Sequence, residues 1–230
     1  MNRRLSLISE YIDNGKGIVD VGTDHGYLPI FLAENGYNGN IFASDINEDP
    51  IKKAINNASA AGVNEKINFM LCDGLKMCPP EQIDTIVIAG MGGDMIVKIL
   101  DEAEWCLSPE YKLILQPMSK AEILRYWLVY NGFEIRHELL VDENGTIYQI
   151  IVAVFGALSK LNDAELYIGC FEDAVQKELY IKNYNALYRR FDRAAAEIKE
   201  GDSIPVYRLK IFEEILDQLK DMGEKYGFNQ

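Results

Sequence analysis

Asp20-Val21-Gly22-Thr23-Asp24-His25-Gly26-Tyr27-Leu28-Pro29 joins two segments of different period. Before it lies the apolar run Gly17–Val21, of strand length; after it, Leu28–Asn35 has the spacing of a helix. A glycine where a strand turns into a helix lets backbone pass close to a ligand, because no Cβ intervenes. The spacing is G-x-x-x-G, not the G-x-G-x-x-G that holds a dinucleotide pyrophosphate. A tight turn uses such glycines too, so the meaning of the loop depends on the residues found at the later strand ends.

Further strands are expected at Ile41–Ser44, Ile67–Leu71, Thr85–Ala89, Lys112–Gln116, Phe133–Leu140 and Thr146–Phe155. Helices are expected at Pro50–Ala61, Asp94–Asp101 and Lys120–Asn131, with Gly62 and Gly132 placed as stops. This alternation predicts an α/β fold with a parallel sheet and helices on both faces. The last two strands are separated only by residues 141–145, and Asn144-Gly145 signals a hairpin, so the final strand should run antiparallel.

After Phe155 the pattern becomes helical and charged, over residues 161–199 and again over 204–226. Leu209, Phe212, Leu216 and Leu219 form one apolar stripe, and Ser203 with Pro205 is suited to start that helix. Two domains are expected, residues 1–156 and a helical hairpin over 157–230; a cap packed on the first domain is the plainer alternative.

Asp45 ends the second strand, about 20 residues beyond the glycine loop, where a carboxylate accepts ribose hydroxyls. Asp73-Gly74 ends the third strand, placed for an adenine ring, and Ala89-Gly90-Met91-Gly92-Gly93 ends the fourth as a second stretch of bare backbone. Ligands of open α/β sheets bind beyond the carboxyl ends of the strands, where all these features gather. A nicotinamide cofactor lacks its pyrophosphate fingerprint here. Acids at three successive strand ends suit the ribose, the adenine amino group and the ammonium of S-adenosyl-L-methionine. The closing hairpin points the same way, to a methyltransferase.

Val19 to Pro29, Ile88-Ala89-Gly90-Met91-Gly92-Gly93 and Leu113-Ile114-Leu115-Gln116-Pro117 together resemble the bacterial tRNA adenine-N1 methyltransferases of the TrmK family, over nearly the whole chain. The resemblance implies a class I (Rossmann-like) methyltransferase domain followed by a coiled-coil-like helical domain, acting on N1 of adenine 22 in the tRNA D-arm. It implies that Gly22, Thr23, Asp24 and His25 line the methionine end of the cofactor, with Asp45 and Asp73 on the ribose and adenine. Asp20, Gly26, Ile46, Gly74, Ala89, Gly90, Met91 and Gly92 complete the expected cofactor set. The family's third motif reads Gln-Pro-Asn, and Met118 stands here in the third place. The expected substrate set is Arg4, Tyr27, Gly93, Gln116 and Pro117, joined on the appendage by Lys182, Arg189, Arg190 and Arg193.

Adenine N1 has an available lone pair, so the displacement requires neither a metal nor prior deprotonation. The product ring is cationic, and a carboxylate beside it helps as charge develops. Asp24 is the candidate for that catalytic role; binding the cofactor ammonium, or capping the next helix, is the equal alternative. His25 contacts the cofactor or orients Asp24, or else is a plain turn residue. Tyr27 stacks on the base or simply packs.

Net charge is −13, which repels nucleic acid at long range. Residues 1–156 carry 12 basic and 22 acidic side chains, against 11 and 14 in residues 157–230, so the appendage holds little of the surplus. Within it the four basic residues named above are interleaved with Tyr180, Tyr184 and Tyr188, a pairing that holds phosphates and splayed bases; a solvated helix face is the bland reading. The apolar run Ile147–Phe155 is too short to span a bilayer, and the N-terminus lacks a signal-peptide pattern, so a cytoplasmic protein without membrane association is expected. Cys72, Cys78, Cys106 and Cys170 are scattered, which argues against a metal site. A monomer or weak homo-oligomer with tRNA as partner is expected. A small-molecule methyltransferase and a non-catalytic assembly protein with a vestigial cofactor fold are the rival readings.

Overall fold

All five residues of strand β1 (Gly17–Val21) are buried, because the strand has neighbours on both sides and helices over both faces. The computed structural model describes residues 2–156, 160–170, 176–200 and 206–228. They fall into two compact units, Met1–Ser159 and Lys160–Gln230.

The first unit is built on a seven-stranded sheet of order β3-β2-β1-β4-β5-β7-β6. Its other strands are β2 (Asn40–Asp45), β3 (Asn68–Leu71), β4 (Thr85–Gly92), β5 (Lys112–Ser119), β6 (Phe133–Glu143) and β7 (Thr146–Phe155). Strands β1 to β5 pair in parallel, and β7 runs antiparallel to both β5 and β6. The predicted hairpin is present: Asn144 (φ 54°) and Gly145 (φ 85°) both take the left-handed conformation that a two-residue turn of this twist demands. The order of strands reverses between β1 and β4, opening a crevice at their carboxyl ends.

Successive strand residues face opposite sides, which divides the core in two. Val19, Val21, Ile86, Ile88, Leu113 and Leu115 pack with Ile96 and Leu100 of α4 (Gly93–Asp101) and Leu124 and Leu128 of α5 (Ala121–Tyr130). Ile18, Ile41, Val87 and Ile114 face the other way. They pack against Ile8 of α1 (Arg3–Ser9), Leu28 and Leu32 of α2 (Tyr27–Glu34) and Ala58 of α3 (Glu48–Ala60). Two-faced burial is why these strands read as continuous apolar runs. Helix α1 was not among the expected elements. Its signals are local: Asn2 caps it by accepting from Leu5 N at 2.9 Å, and Leu5 and Ile8 give it an apolar edge. Strands β4, β5 and β6 all run beyond the ends expected of them, into the region of the site.

A charged group lies deep in this unit. Arg125 of α5 is 1% exposed, with Nε 2.6 Å from Glu138 Oε1 on β6 and Nη2 donating to Gln149 Oε1 on β7 at 2.8 Å. It ties α5 to the closing hairpin.

The second unit contains α6 (Asp163–Ile168), α7 (Lys177–Glu200) and α8 (Val206–Tyr226). The expected helical run over 161–199 is not continuous: α6, started by a capping box between Asn162 and Glu165, stops at Gly169 (φ 83°). Lys199 meets Glu213 (2.8 Å) and Tyr184 meets Phe228 (5.4 Å between rings), so α7 and α8 are antiparallel. The predicted stripe of α8 faces inward, with Leu216 and Leu219 buried and Leu209 and Phe212 half-buried. Ser203 and Pro205 lie outside the described residues.

Candidate active site

The loop after β1 is pinned to β2 by its own backbone: Gly22 N and Thr23 N both donate to Ser44 O, at 2.8 and 2.9 Å. Thr23 Oγ1 donates to Asp20 Oδ2 at 2.7 Å. Gly22 has φ 73°, a conformation costly for any residue with a Cβ, and such an atom would stand 2.2 Å from Met91 Cε. Asp24 is also left-handed (φ 50°), a position that Asp and Asn tolerate better than other side chains. Its Oδ2 lies 3.5 Å from His25 Nε2, and the His25 ring stacks on Tyr27 at 5.3 Å between centroids.

Two cavities open at the carboxyl ends of the strands and share Gly22, Ala89 and Gly90 as their common wall. That wall is bare because Gly90 interrupts the β4–β5 ladder: the register shifts between Ala89 and Met91, and Gly90 takes φ 83°. The larger cavity, 360 Å³, is lined by Asp45, Ile46, Asp73, Gly74 and Met91, with Met95 and Ile99 of α4 as apolar floor. Asp45 Oδ1 accepts from Asn47 N at 2.9 Å, which orients the carboxylate at the strand end. Asp73 meets Lys76 Nζ at 2.5 Å, and Lys76 also meets Glu102 at 2.9 Å; the Lys76 hydrogen bond holds the Asp73 carboxyl below the usual carboxylate range.

The second cavity, 260 Å³, is lined by Asp20, Thr23, Asp24, Tyr27 and Gln116, and is walled on the α1 side by Asn2, Arg4 and Leu5. Asp20 is buried, and that burial pushes its carboxyl up to about 6 despite the Thr23 hydrogen bond, with nearby Asp45 adding to the rise. Gln116 is 1% exposed; its Oε1 accepts from Arg4 Nη1 (2.8 Å) and its Nε2 donates to Pro117 O (2.9 Å). Met118 Sδ accepts from Arg4 Nη1 at 3.1 Å, so it faces the arginine.

The structure therefore gathers most of the expected site residues, and separates some. His25, Gly26, Gly92, Gly93 and Pro117 line neither cavity. Gly93 is buried at the start of α4, where a Cβ would stand 2.2 Å from the Lys120 carbonyl oxygen. Its lack of a side chain lets α4 approach β5, a packing role. Sequence reading also missed Asn2, Leu5, Asn47, Cys72, Met95 and Ile99 as lining residues. The apolar spacing of α4 was visible, but nothing local showed which end of it met a cavity.

On α7, Lys182, Arg189, Arg190 and Arg193 are exposed, and residues 182, 189 and 193 share one face. Arg190 lies 5.5 Å from the Phe191 ring and 5.9 Å from the Tyr167 ring. The expected aromatic interleaving is corrected: Tyr180 (1% exposed) and Tyr184 (3%) belong to the core of the helical unit, and Tyr188 is half-buried. Among the described residues, no group of three or more His, Cys, Asp or Glu is placed to hold a metal ion, and no helix is long and apolar enough to cross a membrane.

Residues 1–151 match the family described as "Methyltransferase domain". The chain is 28% identical to the tRNA (adenine(22)-N(1))-methyltransferase of Bacillus subtilis (strain 168), over 94% of this chain and 97% of that one. The crystal structure of the B. subtilis M1A22 tRNA methyltransferase TrmK superposes with a TM-score of 0.86 at 28% identity, over 96% and 97% of the two chains. That of M. capricolum TrmK in complex with the cofactor product S-adenosyl-homocysteine gives 0.76 at 25% identity, over 100% and 99%.

Proposed function

Since the chain belongs to the methyltransferase-domain family, and within it to the tRNA (adenine-22 N1)-methyltransferases, we propose that it methylates N1 of adenine 22 in tRNA, with S-adenosyl-L-methionine as donor. The observation that carries this reading is the pair of cavities meeting at Gly22, Ala89 and Gly90, with ribose-binding chemistry on one side and an acceptor chamber on the other. The residues fit the donor: a carboxylate ends β2, another follows β3, a buried carboxyl lies near the end of β1, and side chains are missing where the two cavities touch.

In the larger cavity Asp45 accepts the ribose hydroxyls, Asp73 and Gly74 meet the adenine moiety, and Ile46, Met91 and Met95 supply apolar contact. Asp20, Thr23 and Asp24 hold the ammonium end. When bound, S-adenosyl-L-methionine supplies a methyl group on a sulfonium, electrophilic enough for direct displacement. The chain's own contribution is placement of the acceptor and stabilisation of the charge that develops on it. The backbone carbonyls of Ala89 and Gly90 receive the N6 hydrogens of the base. Tyr27, half-exposed, stacks on the ring, and the Asp24 carboxylate faces the cationic product.

Residues 157–230 form the tRNA-contacting domain, through Lys182, Arg189, Arg190 and Arg193. The exposed side chains of that face support this assignment, since a locally basic strip offsets the repulsion of an acidic protein. The protein acts in the cytoplasm as a monomer or weak homo-oligomer, without a metal.

Incubation with labelled S-adenosyl-L-methionine and unmodified bulk tRNA, followed by mapping of the label, tests the reading. A methyl group on N1 of adenine 22, seen as a block to primer extension there, is expected. Turnover on small molecules alone, or none at all, would overturn it.

A further inference from the structure

Arg4 is a mostly buried arginine held on three sides at the wall of the acceptor cavity. Its side chain is 19% exposed, Nε lies 2.8 Å from Glu143 Oε2, and its backbone N donates to the other Glu143 oxygen at 2.9 Å. Nη1 donates to Gln116 Oε1 at 2.8 Å, and the guanidinium lies 4.4 Å above the Tyr148 ring. Nη2 makes no hydrogen bond among the described residues. A planar fork with every other edge engaged presents its last donors in a preset direction, at little entropic cost.

The charges around it decide what those donors take. Among the described residues Arg4 is the sole cation lining this cavity, which Asp20 and Asp24 also line, and Glu143 already matches its charge. With Arg4 already matched by Glu143, a phosphate finds no uncompensated positive charge among the lining side chains. A neutral acceptor fits better: Glu143 matches the Arg4 charge, and the Asp24 carboxylate remains to face the cationic product. The adenine amino group is a donor, N1 must stay open to the methyl group, and N9 carries the ribose. The acceptors left are N3 and N7.

We propose that Arg4 contacts the target base directly, Nη2 donating to a purine ring nitrogen, N3 or N7, and thereby sets the rotation that turns N1 toward the methyl donor. This rests on the proposed function, and deepens it by naming how the base is oriented.

The test uses the full chain and tRNA carrying adenosine, 7-deazaadenosine or 3-deazaadenosine at position 22, with wild type, Arg4→Met and Arg4→Lys. In wild type one analogue should lose about tenfold or more in kcat/KM, the scale of a charge-assisted hydrogen bond. In Arg4→Met the ratio of that analogue to adenosine should rise by the same factor, to the value set by their intrinsic reactivities. Comparing the ratio within each variant cancels partial misfolding and the altered nucleophilicity of the analogues. Equal penalties in wild type and Arg4→Met would overturn the contact while leaving the activity intact. A loss in wild type only when the phosphate at position 22 is replaced by methylphosphonate would assign Arg4 to the backbone and also overturn it. Failure of wild type to methylate the adenosine tRNA would instead overturn the function itself, and this inference with it.

Discussion

Thr23 Oγ1 and Asp20 Oδ2 are joined by a 2.7 Å hydrogen bond beneath the glycine loop, and this bond steadies a carboxyl otherwise enclosed by the sheet. Because burial raises the Asp20 carboxyl to about 6, the folded state holds its proton at pH values where the unfolded chain has released it. Stability of the ligand-free protein should therefore fall as pH rises from about 4 through 6, by on the order of 3 kcal/mol in all. Asp20→Asn removes that dependence and still accepts from Thr23. Melting temperatures across pH 4.5–7.5 should show the variant overtaking wild type as pH passes 6. Its affinity for S-adenosyl-L-methionine, by calorimetry at pH 7.5, should drop, because the ionised form is the one that matches an ammonium.

Asp24 keeps an exposed carboxylate beside His25 in the acceptor cavity. Asp24→Asn preserves the left-handed backbone and the shape while deleting the charge. We expect kcat to fall by about a hundredfold, the lower end of the range for one electrostatic contact to developing charge because Asp24 is exposed, with a smaller change in cofactor affinity. Single-turnover rates at saturating tRNA check this; an unaltered rate would leave Asp24 a cofactor-binding residue only.

Arg125 and Glu138 are both nearly inaccessible, and their pairing is sensitive to the loss of either member. Glu138→Leu deletes the carboxylate facing a buried guanidinium and should cost about 3–5 kcal/mol in urea unfolding. The double variant Arg125→Leu, Glu138→Leu should be less destabilised than Glu138→Leu alone, since no charge then stays in the core. If the double variant is the worse of the two, the pair contributes through packing.

Arg189 and Arg190 are exposed on α7, and neither pairs with a carboxylate among the described residues. Charge reversal to glutamate at both should weaken tRNA binding and flatten the dependence of log Kd on log salt by about one unit per lost phosphate contact. Cofactor affinity should be untouched. Filter binding at several salt concentrations separates this from a merely solvated helix face.

Gly22, Asp45, Asp73 and Ala89-Gly90 were legible in the sequence, because each sits where an apolar run ends and strand ends converge by topology. The same holds for the Asn144-Gly145 hairpin, whose turn chemistry is local. Other features depended on contacts remote in sequence. Gly93 looks like a site residue from its neighbours, and only the fold shows that the carbonyl of Lys120 closes on it. Tyr180 and Tyr184 look like an RNA-binding series until their burial is known. Periodicity, caps and turn residues act over a few positions, so the chain alone determined the α/β order, the closing hairpin and the acids at the strand ends. Only the tertiary structure decided that one wall of bare backbone divides two cavities. It alone brought Arg4, Gln116, Glu143 and Tyr148 together, because packing joins residues that no local pattern relates.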